Sequence, residues 1–191
     1  MRPQDSDHRR EAFDKLYEAN YRDVGAYVAR RVTPHEIDDV VSQTFTVAWR
    51  RIESVPQPPE DRLWLFGVAR RCLSDSRRSS MRRLRLSGRL AREEQVRMSR
   101  SVSSNDDPRL DLVMSAIASL AASDRESLQL VLWEGLTHAE AARVLGCTTN
   151  AFEIRYRRAR NVVKASVDSS EDDPLERIAQ TRMPTTPEGA Q

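Results

Sequence analysis

The stretch GLTHAEAARVLGCTTNAFEIRYRRAR, residues 135–160, contains a short helical segment, a glycine and a longer helical segment rich in arginine. Thr137 stands three residues before Glu140, which is the spacing of a capping box and predicts the start of a helix. Gly146 predicts the left-handed turn that ends this helix, and the polar residues at 148–150 predict the cap of the next one. Two helices joined in this way are typical of a helix-turn-helix, whose second helix enters the major groove of DNA.

The second helix of this pair has two unlike faces. A stripe with steps of four, three and four residues is predicted to pack inward, and it consists of Phe152, Tyr156, Ala159 and Val163. The opposite face carries Ile154 beside arginines, which suits a thymine methyl group next to guanine or phosphate acceptors. The residues predicted to contact DNA are Thr149, Asn150, Glu153, Ile154, Arg155, Arg157, Arg158 and Arg160. An arginine-rich helix can also be a solvated surface, so from this pair alone both readings stay open.

The composition favours a small intracellular protein. The chain has 191 residues, enough for one or two compact domains. Cys72 and Cys147 are far apart and belong to no CxxC or Cys/His cluster, so we expect no disulfide, no metal site and a reducing cytoplasm. The sequence has no apolar run long enough to span a membrane, and its N-terminus lacks the apolar core of a signal peptide. We therefore expect a cytoplasmic protein without membrane insertion and without a cofactor.

Three helices are predicted in residues 11–83. Apolar residues recur at helical spacing over residues 13–28, and a cleaner stripe follows over residues 37–52. This second stripe includes Trp49 and is expected to face a partner helix. The prolines of the segment VPQPPE cannot continue a helix, and a third helix is expected to begin near Asp61. Three helices with such stripes make one small core.

A second helical block is predicted at residues 109–166, after a polar linker at residues 84–108. Ser123, three residues before a glutamate, repeats the capping-box spacing and predicts a further helix start. Residues 1–10 and the tail at residues 167–191 are polar and are predicted to be disordered. No strand pattern is long enough to defend. The predicted fold is therefore all-α, with two small helical domains joined by a flexible linker, the C-terminal one a helix-turn-helix.

The third predicted helix combines a tryptophan with a long basic run. Aromatic and arginine side chains together can hold single-stranded nucleic acid, by stacking on the bases and by charge. Trp64 also fits the apolar stripe of this helix, so a place in the core is the alternative reading. The residues of this set are Trp64, Arg70, Arg71, Ser74, Arg77 and Arg78.

Segments from both blocks resemble one protein family. The first block contains FDKLYEANYRDVGAYVARRV, EIDDVVSQTFTVAWRRI and DRLWLFGVARRCLSDSRR, and the second contains LAASDRESLQLVLWEGLTHAEAARVLGC followed by TTNAFEIRYRRAR. In this order and at this separation, they resemble an extracytoplasmic-function (group 4) sigma factor of bacterial RNA polymerase. The resemblance covers residues 11–83, which would be sigma domain 2, and residues 109–166, which would be sigma domain 4.

The resemblance implies a transcription initiation factor with three surfaces. The second helix would bind core RNA polymerase, through Asp38, Asp39, Ser42, Gln43, Thr46 and Arg50. The third helix, with its tryptophan and arginine set, would bind the non-template strand of the minus-ten element, and the last helix would read the minus-thirty-five element as duplex. Core polymerase, promoter DNA and an anti-sigma factor would be the partners, and no residue of the chain would be catalytic. Ser42 stands where the family usually has glutamine, and Glu153 where it usually has a basic residue.

Two other classes of function fit part of the pattern. A helix-turn-helix regulator that never contacts polymerase would need dimer symmetry, and no predicted helix has a free apolar face for it. A helical adaptor that holds a partner through amphipathic helices explains the stripes but not the arginines of the last helix. An enzyme is disfavoured, because the sequence has no glycine-rich phosphate loop, no paired acids in an apolar setting and no Cys/His constellation.

Overall fold

The computed structural model describes residues 3–87 and 108–166, with side chains over residues 7–79 and 112–166. The described residues form α-helices and two short 3-10 helices, with no strand among them. The α-helices are α1 (Pro3–Ala29), α2 (Ile37–Arg50), α3 (Glu60–Ser87), α4 (Pro108–Ser119), α5 (Ala122–Leu132), α6 (His138–Leu145) and α7 (Thr149–Ser166). The chain divides into two compact units, Met1–Met98 and Ser99–Gln191. The predicted all-α fold with two helical units is confirmed.

Helix α1 begins at Pro3, so the prediction that residues 1–10 are disordered is wrong for residues 3–10. Proline suits the first turn of a helix, because its φ angle is already helical and its missing N–H has no helical partner to lose there. Arg9 ties this polar start to α2, since its guanidinium lies 5.7 Å from the centre of the Trp49 ring and donates to the Trp49 carbonyl oxygen at 3.5 Å. These contacts join residues far apart in the chain, so hydrophobic periodicity does not reveal them.

Helices α1, α2 and α3 pack around one core. Tyr27 of α1 stacks on Phe66 of α3 with 4.9 Å between ring centres, and both side chains are fully buried. Asn20 of α1 donates to the Asp61 carboxylate at 3.0 Å, so a buried polar pair fixes the start of α3 against α1. The inward stripe of α2 is buried at Val40, Val41, Thr44, Phe45 and Ala48. The opposite side of α2 faces solvent.

Helices α4 to α7 form the second unit and have a core of their own. The buried residues of this core are Val113, Ala116, Ile117, Leu120, Leu128, Leu132, Ala159 and Val163. Tyr156 and Trp133 pack against it and are partly buried. Removing apolar surface from water stabilises such a unit by roughly 25 cal/mol for each Å². Helix α7 contributes Ala159 and Val163 to this core, so one side of the helix is buried and the other side faces solvent.

The turn between α6 and α7 has the predicted local structure. The Glu140 amide donates to the Thr137 hydroxyl at 3.3 Å and the Thr137 amide donates to the Glu140 carboxylate at 2.8 Å, which completes the capping box. Gly146 ends α6 with φ 67° and ψ 39°, in the left-handed region. The Thr148 hydroxyl accepts from the Ala151 amide at 3.2 Å and caps α7.

The predicted cap at Ser123 is wrong. Helix α5 begins at Ala122, its N-cap is Ala121, and no side chain caps it. The Ala121 carbonyl oxygen already accepts from the Asp124 and Arg125 amides at 3.0 and 2.9 Å, so the helical hydrogen bonds start there. Ser123 therefore lies in the first turn of α5, and the Arg125 guanidinium of the same turn donates to carbonyl oxygens at the end of α4.

The predicted linker at residues 84–108 and the predicted tail at residues 167–191 lie mostly or wholly outside the described residues. Helix α3 continues to Ser87, past the predicted boundary at residue 83, and α4 begins at Pro108. None of the described helices is both long enough and apolar enough to cross a membrane.

Candidate nucleic-acid and polymerase interfaces

Helix α7 is positioned by α6. Its inward stripe is buried as predicted, at Phe152, Ala159 and Val163. Tyr156 of the same stripe is half-buried. The His138 ring of α6 packs on Phe152 and Tyr156, with 5.4 and 4.8 Å between ring centres. These contacts fix which side of α7 faces outward.

The outward side of α7 carries the residues predicted to contact DNA. Ile154 is 57% exposed and lies one turn before Arg158, so the two side chains share a side of the helix. Among the predicted set, Thr149, Asn150, Ile154, Arg157 and Arg158 are exposed, and Glu153, Arg155 and Arg160 are half-buried. The structure therefore leaves the apolar Ile154 in solvent next to cations. Contact of this set with DNA stays a prediction.

Arg158 has a partner within the protein. Its Nε atom donates to Oδ2 of Asp124 at 2.8 Å, and its Nη2 atom donates to Oδ1 at 2.6 Å. The Asp124 side chain is 8% exposed, whereas that of Arg158 is 59% exposed. The hydrogen bonds and the charge of Asp124 raise the pKa of Arg158, so the guanidinium stays protonated. Sequence reasoning missed Asp124, because the two residues are 34 positions apart on different helices and no periodicity links them.

Glu153 is the acidic residue of α7 and lies beside α6. Its Oε1 atom is 3.8 Å from Nδ1 of His138, which is too long for a hydrogen bond. The pair becomes an ion pair only when the imidazole is protonated. Helix α7 thus presents a mostly basic surface with one carboxylate at the side nearest α6.

The outward side of α2 carries the whole set predicted to bind polymerase. The exposed residues are Asp38, Asp39, Ser42, Gln43, Thr46 and Arg50. They recur every three or four positions, so they share one side of the helix. Two acids at the start of this surface disfavour the phosphate backbone of a nucleic acid as its partner. A polar surface of mixed charge suits hydrogen bonding to another protein.

An open groove of about 500 Å³ lies beside this surface, between α1 and α2. Its aromatic walls are Phe13, Tyr17 and Tyr21 of α1 and Phe45 and Trp49 of α2. Trp49 is 41% exposed and meets the Phe13 ring edge-on with 5.3 Å between ring centres. Trp49 therefore contacts α1, as the predicted stripe requires, but it lies at the margin of the stripe, where α1 covers only part of it. Exposed aromatic residues such as Trp49 are candidates for binding a partner. Hydrophobic periodicity alone had placed Trp49 among the residues that pack on a partner helix.

Helix α3 presents its basic residues on its solvent side. Arg70, Arg71, Ser74, Arg77 and Arg78 are exposed, and Trp64 is half-buried. Trp64, Arg71 and Arg78 are seven residues apart, which is close to two helical turns, so they share a side. Arg77 donates from Nη2 to the Arg31 carbonyl oxygen at 3.2 Å. Trp64 is half-buried. One part of its side chain is packed, as a place in the core predicts, and another part is accessible, as contact with a nucleic acid requires.

Two helical units, of which the second is a basic helix-turn-helix, are typical of proteins that bind DNA. Residues 16–83 match Sigma-70 region 2, and residues 110–161 match Sigma-70, region 4. The chain is also similar to the ECF RNA polymerase sigma factor SigC of Mycobacterium tuberculosis, with 30% identity over 162 residues that cover 85% of each protein. The chain belongs to the sigma-70 family, among its extracytoplasmic-function sigma factors. It is a transcription initiation factor that directs RNA polymerase to promoters.

Two solved structures align with most of the chain. The sigma factor RpoE of Bartonella quintana, solved in complex with the anti-sigma factor NepR, aligns with a TM-score of 0.63 and 22% identity over 83% of this chain and 98% of that chain. CnrH, solved in complex with the cytosolic domain of CnrY, aligns with a TM-score of 0.58 and 25% identity over 85% of this chain and 91% of that chain. The likeness in fold therefore extends well beyond the helix-turn-helix.

Proposed function

We propose that this sigma factor binds core RNA polymerase through the outward side of α2, holds the non-template strand of the minus-ten element with α3 and reads the minus-thirty-five element with α7. The observation that carries this assignment is that each predicted set lies largely on the solvent side of a single helix. The three surfaces also differ in chemistry. The α2 surface has mixed charge, the α3 surface joins arginines to a tryptophan, and the α7 surface joins arginines to an isoleucine, which suits a protein, a single strand and a major groove respectively.

The main alternative is a helix-turn-helix regulator that works without polymerase. Such a protein needs the second unit and has no use for a first unit that matches Sigma-70 region 2. This alternative assigns no binding partner to the exposed polar side of α2 or to the aromatic groove beside it. The match of the first unit to Sigma-70 region 2 thus favours the sigma factor assignment.

The proposal includes an anti-sigma factor as a further partner, a cytoplasmic location and no catalytic residue. RpoE, which has the same fold, was solved with an anti-sigma factor. The polymerase and the promoter with which the chain acts are in the cytoplasm of a bacterium. Among the described residues, no group of three or more His, Cys, Asp or Glu side chains could hold a metal ion. In this proposal the polymerase performs nucleotidyl transfer and the chain supplies the choice of promoter.

A test by separation of function uses one charge change on each surface. Gln43→Arg alters the exposed side of α2, and Arg157→Glu alters the outward side of α7. Arg157 is preferred over Arg158 for this purpose, because Arg158 also pairs with Asp124 and its reversal would disturb the packing of α7 on α5. Arg22→Glu, an exposed position of α1 outside the three surfaces, is the matched control.

The measurements are binding to core polymerase and transcription from a promoter selected by mapping start sites on a genomic fragment library. Gln43→Arg is expected to weaken binding to core polymerase. Arg157→Glu is expected to leave that binding unchanged and to lower transcription by about tenfold or more, the usual cost of losing one good contact to a promoter. Arg22→Glu is expected to change neither quantity. If the unsubstituted chain does not join core polymerase, or if Arg157→Glu weakens that joining as much as Gln43→Arg does, the assignment of surfaces is wrong.

A further inference from the structure

The pair between Arg158 and Asp124 leaves part of the guanidinium free. An arginine side chain has five N–H donors, and the pair engages Nε and Nη2 side-on. The remaining donors, on Nη1 and Nη2, point away from the carboxylate. The Arg158 side chain is 59% exposed while that of Asp124 is 8% exposed, so the anchored edge is inside and the free edge is outside.

A side-on carboxylate partner also fixes the direction of the free edge. A solvated arginine loses rotamer freedom when it binds, and a planar guanidinium held by two parallel hydrogen bonds has lost most of that freedom beforehand. The carboxylate is itself held, because it lies in the first turn of α5 and the Ser123 hydroxyl donates to Oδ1 at 3.4 Å. Asp124 thus orients Arg158 without reaching the surface that Arg158 occupies.

We propose that Asp124 is a positioning residue for promoter recognition, and that it aims the free edge of Arg158 at the O6 and N7 acceptors of one guanine in the upstream element. This inference rests on the proposed function, in which α7 enters the major groove. A base is favoured over a phosphate as the target, because Arg158 shares its side of α7 with Ile154, whose apolar side chain suits base edges and not the charged backbone.

The charges of the pair predict different effects on binding to unrelated DNA and on discrimination between bases. Asp124 offsets the charge of Arg158, so the pair adds orientation more than general attraction to DNA. Replacing Asp124 with asparagine removes a negative charge and one strong acceptor. Affinity for unrelated duplex DNA is therefore expected to stay level or to rise slightly, while discrimination at one base pair falls. A residue with a merely structural role would lower both together.

The experiment uses the full chain with core RNA polymerase and promoters randomised across the upstream element. The variants are Asp124→Asn and Arg158→Lys, which keeps the positive charge but cannot form the side-on pair. Both are expected to reduce the preference for guanine by about tenfold at the same single base pair and to leave the other positions unchanged. Asp124→Glu, which keeps the carboxylate on a longer side chain, is expected to restore part of the preference. Thermal unfolding of each variant identifies a loss of fold.

The outcomes are distinct. A loss at one shared base pair, with the thermal midpoint of either variant within a few degrees of the original, supports the inference. An unchanged preference in a folded Asp124→Asn variant, or a uniform loss at every position in either variant, overturns it while leaving the proposed function intact. If Asp124→Asn unfolds the second unit, Arg158→Lys provides the test instead. A loss of preference at a single guanine position then supports the inference, and any other pattern overturns it. Failure of the unsubstituted chain to start transcription would remove the inference and the proposed function together.

Discussion

Ile154→Ser tests whether the apolar residue on the outward side of α7 reads a base. In the free chain the isoleucine is 57% exposed, so its removal should change the stability of the second unit by less than about 0.5 kcal/mol. Burying a whole isoleucine side chain stabilises by about 1.5–3 kcal/mol, and roughly half of that surface is still available for a contact. Loss of a contact with a thymine methyl group should therefore cost on the order of 1 kcal/mol, which is about a fivefold change in preference.

The assay is transcription by core polymerase from promoters randomised at the upstream element, with start counts compared between Ile154→Ser and the original chain. One base pair is expected to lose its preference for thymine by about fivefold while the others keep theirs. Val162→Ser is the matched control, because Val162 is another exposed β-branched residue of α7, at 42%, outside the predicted reading set. Identical preferences at every position in the Ile154→Ser and original proteins would refute the thymine contact, and so would the same shift in Val162→Ser.

Gly146→Ala places a side chain at φ 67° and should destabilise the second unit by about 1 kcal/mol, whereas Gly25→Ala, inside α1 with open space around the added methyl group, should stabilise the first unit by about 0.5–1 kcal/mol. Urea unfolding followed by circular dichroism measures both, and equal signs would contradict the argument. Thr137→Ala removes the capping hydroxyl and should cost about 1 kcal/mol in the same assay, with Thr137→Ser as the control that keeps the cap. Burial raises the pKa of the Cys72 thiol, so iodoacetamide at neutral pH should modify Cys147 first and reach Cys72 only after the first unit unfolds. Mass spectrometry of the peptides reads the order, and equal labelling of the folded protein would count against it.

Features decided within one or two turns of chain could be predicted from the sequence. The capping box at Thr137, the left-handed Gly146 and the cap before α7 depend on backbone groups at most a few residues away, so local spacing contains the information. The inward stripe of α7 is similar, because helical geometry alone determines which side chains share a side. Family resemblance added the roles of α2 and α3, which residue spacing alone does not contain.

Features that depend on contacts between helices could not be predicted in this way. Asp124 pairs with Arg158 on another helix, and no local sequence pattern around either residue predicts the pair. Trp49 has the spacing of a core residue, but the reach of α1 decides how much of it is covered. In each example a partner outside the local window sets the outcome.

Arg125 links the packing of the second unit to the position of the helix that we propose reads DNA. Its guanidinium closes the last turn of α4, and α4 supplies Val113 and Ile117 to the packing beneath α7. A substitution at Arg125 would loosen the reading helix without touching any base. Genetic screens for lost promoter use are thus expected to collect substitutions at Arg125 as well as on the outward side of α7, and those at Arg125 are expected to lower the use of every promoter alike.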